Sequence, residues 1–145
     1  MAKDASSKTI EDLEGIEWPS PPPNVPPSIR RCYEARRKPL RELRAVDLRL
    51  LVAQGTGLPF VVPTALEILE KALLLEAEHY RGDLLVVVLR LPPDFFRKRP
   101  DLRMRVEHLL ARLPAALKQL DHIDFDTSSE ALEEAERFFR EARGI

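Results

Sequence analysis

The sequence predicts an all-α protein: a single compact domain of seven to nine short helices with a proline-rich N-terminal strap. Three observations carry this. Apolar residues recur at spacings of three and four, clearest at Val62, Leu66, Leu69 and Leu73 and again at Leu102, Val106, Leu109, Leu113, Leu117 and Leu120. Proline or cap-forming residues open several stretches, and glycines close others, as helices require. The one run rich in β-branched residues, at 84–89, has no second segment of strand character to pair with. At 145 residues, 44% hydrophobic and 32% charged, the chain has the length of one domain. It can bury enough surface to fold without metal or disulfide.

The elements follow in order. Thr9-Ile10-Glu11-Asp12 reads as a capping box opening a short helix that Gly15 ends. From Trp18 to Pro27 there are six prolines in ten residues, which exclude helix and predict an extended strap. Trp18 and Val25 are expected to anchor it; recruitment of a proline-binding partner is the alternative. The strap and the first helix define segment 1–27, and the remaining helices define 28–145. Ser28 is the expected cap of a helix reaching Arg37, stopped by Lys38-Pro39. A helix over 46–53 places Leu48, Leu51 and Val52 on one face, and Gln54-Gly55-Thr56-Gly57 ends it. Pro59 and Pro63 stand near the start of the next helix, where proline costs least. Gly82-Asp83 before the run 84–89 favours a buried helix there. Pro92-Pro93-Asp94 opens a short helix and Pro100-Asp101 a longer one, bent or broken near Pro114. Asp126-Thr127-Ser128 is expected to cap the last helix, with Leu132, Ala135, Phe139 and Ala142 facing inward.

Composition removes several function classes. A single cysteine, Cys32, excludes an internal disulfide and a multi-cysteine metal site. With 13 prolines and 5 glycines, a glycine-rich phosphate cradle is disfavoured. Residues 1–8 lack the apolar stretch of an export signal, and the longest apolar run falls far short of the roughly 18–20 residues of a membrane span. Cytoplasmic residence is the expectation, and an unpaired thiol agrees with it. The run from Asp121 to Asp126 sets His122 among three carboxylates, but acids before a helix serve as caps, so no metal is expected. Glu107 and His108 point about 100° apart on a helix and cannot converge. His79 reads as a loop residue, and Cys32, despite Arg30, Arg31 and Arg36, as a buried structural thiol. No catalytic residue and no cofactor emerge, and an enzyme is disfavoured.

Charge is distributed more tellingly. The net charge of −1 hides a +5 block from Arg30 to Arg49, another +5 from Arg90 to Lys118, and −5 from Asp121 to Ile145. The plain reading is helix faces pairing with one another. The functional readings are a basic face for nucleic acid and an acidic face for a basic protein. The basic blocks lack interleaved aromatics and any reading motif, which disfavours nucleic acid.

Several stretches in order carry a resemblance: Arg36-Arg-Lys-Pro-Leu40, Asp47-Leu-Arg-Leu-Leu51, Gln54-Gly-Thr-Gly-Leu-Pro59 with Val62-Pro-Thr-Ala-Leu-Glu67, then Tyr80-Arg-Gly-Asp-Leu-Leu85 and Leu89-Arg-Leu-Pro-Pro-Asp-Phe-Phe96. Over roughly residues 10–112 the chain resembles a family of small bacterial contact-dependent growth inhibition (CDI) immunity proteins. Ala45 departs from the pattern, standing where a hydroxyl cap is expected. The resemblance implies a cytoplasmic, non-catalytic protein whose partner is the cognate C-terminal toxin domain of a contact-delivered effector, neutralised by occlusion of its active site or substrate cleft. It implies neither nucleic-acid nor membrane binding, and a monomer or weak dimer. Many such toxins attack nucleic acids through basic clefts, so an acidic face made by Asp121, Asp124, Asp126, Glu130, Glu133 and Glu134 is the expected contact. The shared positions read as scaffold: Arg36, Lys38, Pro39, Leu40, Asp47, Arg49, Gln54, Gly57, Leu58, Pro59 and Pro63. Among them Asp47 is expected to cap or to pair with Arg36 or Arg49, and Gln54 to be buried against the glycine turn. The alternative function is a nucleic-acid-associated regulator using the Arg30–Arg49 block, or an adaptor recruited through the strap.

Overall fold

The computed structural model describes residues 6–119 and 122–143, with the side chains of 6–119 and 131–141. Eight helices follow one another: α1 (Ile10–Glu14), α2 (Pro27–Ala35), α3 (Ala45–Gln54), α4 (Leu58–Lys71), α5 (Asp83–Leu89), α6 (Pro93–Lys98), α7 (Pro100–Lys118) and α8 (His122–Arg143). A 3-10 turn at Leu40–Glu42 lies between α2 and α3. No strand occurs among the described residues, and the all-α expectation is borne out.

Local chemistry explains most boundaries. Thr9 accepts from the Asp12 backbone at 3.0 Å while the Asp12 carboxylate accepts from the Thr9 backbone at 3.1 Å, closing the capping box of α1. Gly55 and Gly57 both take left-handed backbone at φ 70 and 68, so the chain leaves α3 and enters α4 within two residues. Gly57 is also a close approach: a Cβ there would stand 3.0 Å from Cγ2 of Ile10. This contact seats α1 on the α3–α4 turn, with Ile10 fully buried.

Helix α5 lies at the centre. Of its residues only Val87 is not fully buried, which is why its run of valines and leucines lacks a polar face. It packs against α3 and α8, while α3 packs on α4, α4 on α7, and α6 joins α7 and α8. Leu102, Val106, Leu109 and Leu113 of α7 and Leu132, Ala135 and Phe139 of α8 complete one continuous core. Gly82, at the start of α5, leaves room for the Leu132 side chain.

Five local expectations change. Helix α2 starts at Pro27 behind Pro26, with no side-chain cap, so Ser28 is not the cap; Pro27 needs no N–H partner at the first position and its φ is already helical. That helix ends at Ala35 rather than Arg37. Pro63 sits inside α4, not at its start. It removes the bond to the Pro59 carbonyl, and Pro59 is exposed, so water can satisfy that group. Helix α7 runs unbroken through Pro114, held by the buried residues Leu109, Leu110 and Leu113 around it. Helix α8 begins at His122, so Asp126, Thr127 and Ser128 lie within it. A cap is worth about 1 kcal/mol, too little to stop a helix that continues its backbone bonding upstream. Leu120 and Asp121 lie outside the described residues, as does the side chain of Ala142.

Candidate functional site

The groups that chemistry would need are dispersed. Among the described residues no three of His, Cys, Asp and Glu are close enough to hold a metal ion. Asp121 lies outside the described residues, as do the side chains of His122, Asp124 and Asp126. Cys32 is a buried residue of α2, and burial pushes its thiol up more strongly than Arg31 and Arg36 pull it down. His79 and His108 are both exposed, on the loop before α5 and on α7.

The scaffold positions resolve into three polar ties. Arg36 is 1% exposed, pairs with Glu14 at 2.6 Å, donates to Thr56 Oγ1 at 3.0 Å, and lies 3.9 Å from the centre of the Trp18 ring. The Trp18 ring also meets Tyr33 edge-on at 4.9 Å, and the Trp18 carbonyl accepts from Arg37 at 2.9 Å. Arg36 thus joins the strap, α1 and the α3–α4 turn. Asp47 accepts from the Arg44 backbone at 3.0 Å, capping α3 from its third position. This answers the missing hydroxyl: Arg44 is the cap residue, one place before Ala45. Asp47 also faces Lys38 and Arg44 at 3.9 Å each, not Arg36 or Arg49. Arg49 reaches Asp83 at 3.5 Å and Glu78 at 3.8 Å. Asp83, wholly buried, accepts three backbone N–H groups, from Ala77 at 2.7 Å, Glu78 at 2.9 Å and His79 at 2.8 Å. Burial alone would raise its pKa, but these bonds and Arg49 outweigh it and hold the carboxyl below its ordinary value. Pro39 bridges to Thr9, and Leu40 donates to the Lys8 carbonyl at 3.0 Å, docking the N-terminus beside the 3-10 turn.

These ties account for much of the charge pattern. In the block 30–49, Arg31, Arg36, Arg37, Lys38, Arg44 and Arg49 all face carboxylates. In the block 90–118, Arg105 grips Glu70 through two bonds of 3.0 Å and holds it below its ordinary pKa, while Arg112 donates to the Glu70 carbonyl. Arg97 pairs with Asp94, and Arg99 with Asp101.

One scaffold expectation fails. Gln54 is exposed, not buried; the left-handed Gly55 turns the backbone so that the carbonyls of Leu51 and Val52 accept from backbone N–H groups and need no side-chain amide. Gln54 instead lines a groove of about 460 Å³. One wall is Val52, Ala53, Gln54, Gly55 and Leu58; the other is Val87, Arg90, Leu91 and Pro92. A second groove of about 320 Å³, on the other side of the α4 start, is lined by Leu40, Arg41, Pro59, Phe60, Pro63 and Glu67 among others. Arg90 pairs with Glu134 of α8, which brings the acidic helix to the edge of the first groove. Glu133 and Glu134 are both exposed, and Phe138 (42% exposed) lies one turn beyond Glu134. The side chains of Asp124, Asp126 and Glu130 lie outside the described ones. The groove is invisible to motif reading because its walls lie some 35 residues apart in the chain. The one signal for it in the sequence is a pair of apolar segments with glycine or proline, each ending a helix.

A protein-family model described as CDI immunity proteins matches residues 12–106. The match includes both walls of the first groove and the three polar ties, and stops before most of α7 and all of α8. No curated protein and no solved structure shows detectable similarity to the chain.

Proposed function

The chain belongs to the family of CDI immunity proteins, and from that premise we propose that it binds the cognate C-terminal toxin domain of a contact-delivered effector and blocks its active site or substrate cleft. Membership in the family implies toxin neutralisation, and such proteins are generally not enzymes. The family match carries the reading, and the structure supplies support of a physical kind. The buried polar groups serve the fold: Asp83 holds a loop, Arg36 holds the strap, and Asp47 caps a helix. No helix among the described residues is long and apolar enough to cross a membrane. The protein acts in the cytoplasm, as a monomer or weak dimer, where the incoming toxin is met.

The acidic C-terminal segment is the contact. Asp121, Asp124, Asp126, Glu130, Glu133 and Glu134 are six of the eight acids in the segment from Asp121 to Ile145, whose net charge is −5. Such a face steers a basic cleft into register and occupies the path of an anionic substrate. This segment also lies outside the matched region, where a chain tuned to its own toxin differs from its relatives. The basic block from Arg30 to Arg49 is engaged by carboxylates, which speaks against the nucleic-acid alternative.

Calorimetric titration of the chain with the purified C-terminal domain of the effector encoded beside it tests the reading. Tight binding, weakened by several kcal/mol in the Glu130→Lys, Glu133→Lys, Glu134→Lys triple variant, is the expected result. Undiminished affinity in the triple variant removes the acidic helix from the interface. Absence of binding by the unmodified chain removes the function itself.

A further inference from the structure

The groove between the α3–α4 turn and the α5–α6 junction is apolar along both walls, open to solvent, and bordered by the acidic helix. Val52, Leu58, Val87 and Leu91 supply its surface. Arg90 is the one cation in its lining, and Glu134 neutralises it. The Arg90–Glu134 pair therefore adds no net charge to the edge of the groove, and it ties the acidic helix to that edge. Glu133 is exposed, and the segment from Asp121 to Ile145 keeps an excess of acid after Arg90 is counted.

We propose that this groove receives a large apolar side chain of the toxin, one that is followed on the toxin surface by a Lys or Arg that meets the exposed Glu133. This rests on the toxin-binding reading above and adds the contact that holds the complex once charge has brought it together. The division is physical. Exposed carboxylates act through a screened field and set the association rate, so they contribute modestly to residence. Burial of an apolar anchor that displaces water from the groove sets the dissociation rate. Charge complementarity selects the occupant: a second copy of this chain would bring α8 against α8, acid against acid. A small ligand would leave the acidic border without a role. The walls lie within the matched region and the acidic border lies outside it.

The test uses residues that are exposed and make no core contact. Ala53→Arg and Gln54→Arg each place a long cationic side chain across the groove; Ala53 and Gln54 stand at the exposed end of α3. Ala111→Arg, exposed on α7 and outside the groove lining, is the control. All three are checked by circular dichroism for unchanged thermal unfolding, then titrated with the same toxin domain at low and high salt. The expected result is a rise of tenfold or more in Kd for Ala53→Arg and Gln54→Arg, largely in the dissociation rate and little changed by salt. Ala111→Arg stays within twofold of the unmodified chain. Glu133→Lys acts mainly on the association rate and loses its effect in high salt. If the unmodified chain binds and both groove variants bind as tightly, or Ala111→Arg weakens binding as much as they do, the groove is not the contact. If the unmodified chain does not bind, the toxin-binding reading falls and this one with it.

Discussion

Asp83→Asn isolates the charge of one buried carboxylate without changing its shape. The carboxylate accepts from Ala77 on one oxygen and from Glu78 and His79 on the other, at 2.7, 2.9 and 2.8 Å, with Arg49 at 3.5 Å. An asparagine amide has one acceptor oxygen. In its best orientation it keeps the Glu78 and His79 bonds and turns its own NH2 toward the Ala77 N–H, leaving that donor buried and unpaired. An unsatisfied buried donor costs about 1–3 kcal/mol. Loss of charge assistance in the other two bonds and of the counter-charge to Arg49 adds about 1–2 kcal/mol. The total is about 3 kcal/mol, or about 10 °C in Tm for a domain of this size. The pH dependence has a definite sign. Because the folded carboxyl titrates below its ordinary value, its contribution is fully present above the unfolded pKa of about 3.9 and is lost as pH falls through the folded value. Protonated aspartic acid, like asparagine, turns one of the two acceptor positions facing the loop into a donor group. Urea unfolding followed by circular dichroism, at steps from pH 7 down to pH 3, should therefore show a gap between the two proteins that is constant near neutrality and narrows below about pH 4. Equal midpoints at pH 7, or a gap of unchanged size at pH 3, refute the argument.

Other consequences are measured the same way. Arg36→Met keeps the volume but leaves Glu14 and Thr56 without their cationic partner and removes the cation over Trp18; a loss of about 3 kcal/mol is expected, with Trp18 fluorescence reporting release of the strap. Trp18→Ala, which removes only the indole, should cost about half as much, and a loss equal to that of Arg36→Met would show that the ion pair contributes nothing. Gly57→Ala places a Cβ 3.0 Å from Ile10 at φ 68, so it should destabilise by about 1–3 kcal/mol, whereas Gly15→Ala, with open space around it, should cost only its backbone strain of about 1 kcal/mol. The two substitutions having the same effect in thermal unfolding would show that the seat of α1 on the α3–α4 turn carries no energy.

Much of the fold is legible in the order of residues alone. Thr9, Asp12 and Gly15 specify α1 through their own short-range hydrogen bonds and backbone preferences. The stripe Leu102, Val106, Leu109 and Leu113 specifies α7 because helical periodicity puts those residues on one face whatever they pack against. Even the valine run at 84–89 resolves as a helix by elimination, since a lone strand has nothing to pair with. Boundaries are less secure, as Ser28 and the 126–128 trio show. Cap preference is worth about 1 kcal/mol, and competing starts a few residues away differ by no more.

The polar partners are not legible. Nothing local tells Arg36 to choose Glu14 and Thr56, or Arg49 to choose Asp83, because each pair is joined across 20 to 34 positions of chain by the packing of other elements. Gln54 goes against expectation for the same reason: a polar residue beside a glycine turn is buried or exposed according to what packs over the turn. The groove depends on the same packing, since Val52 and Leu58 meet Leu91 and Pro92 only when α3 and α5 lie side by side. By itself the sequence determined the class of fold, the positions of its helices and, through the ordered segments within 12–106, the family. Tertiary structure alone decided which charges are structural and that the acidic helix borders the groove. Short-range bonding and periodicity are written in consecutive residues, whereas burial and electrostatic partnership are properties of surfaces that exist only after distant segments have met.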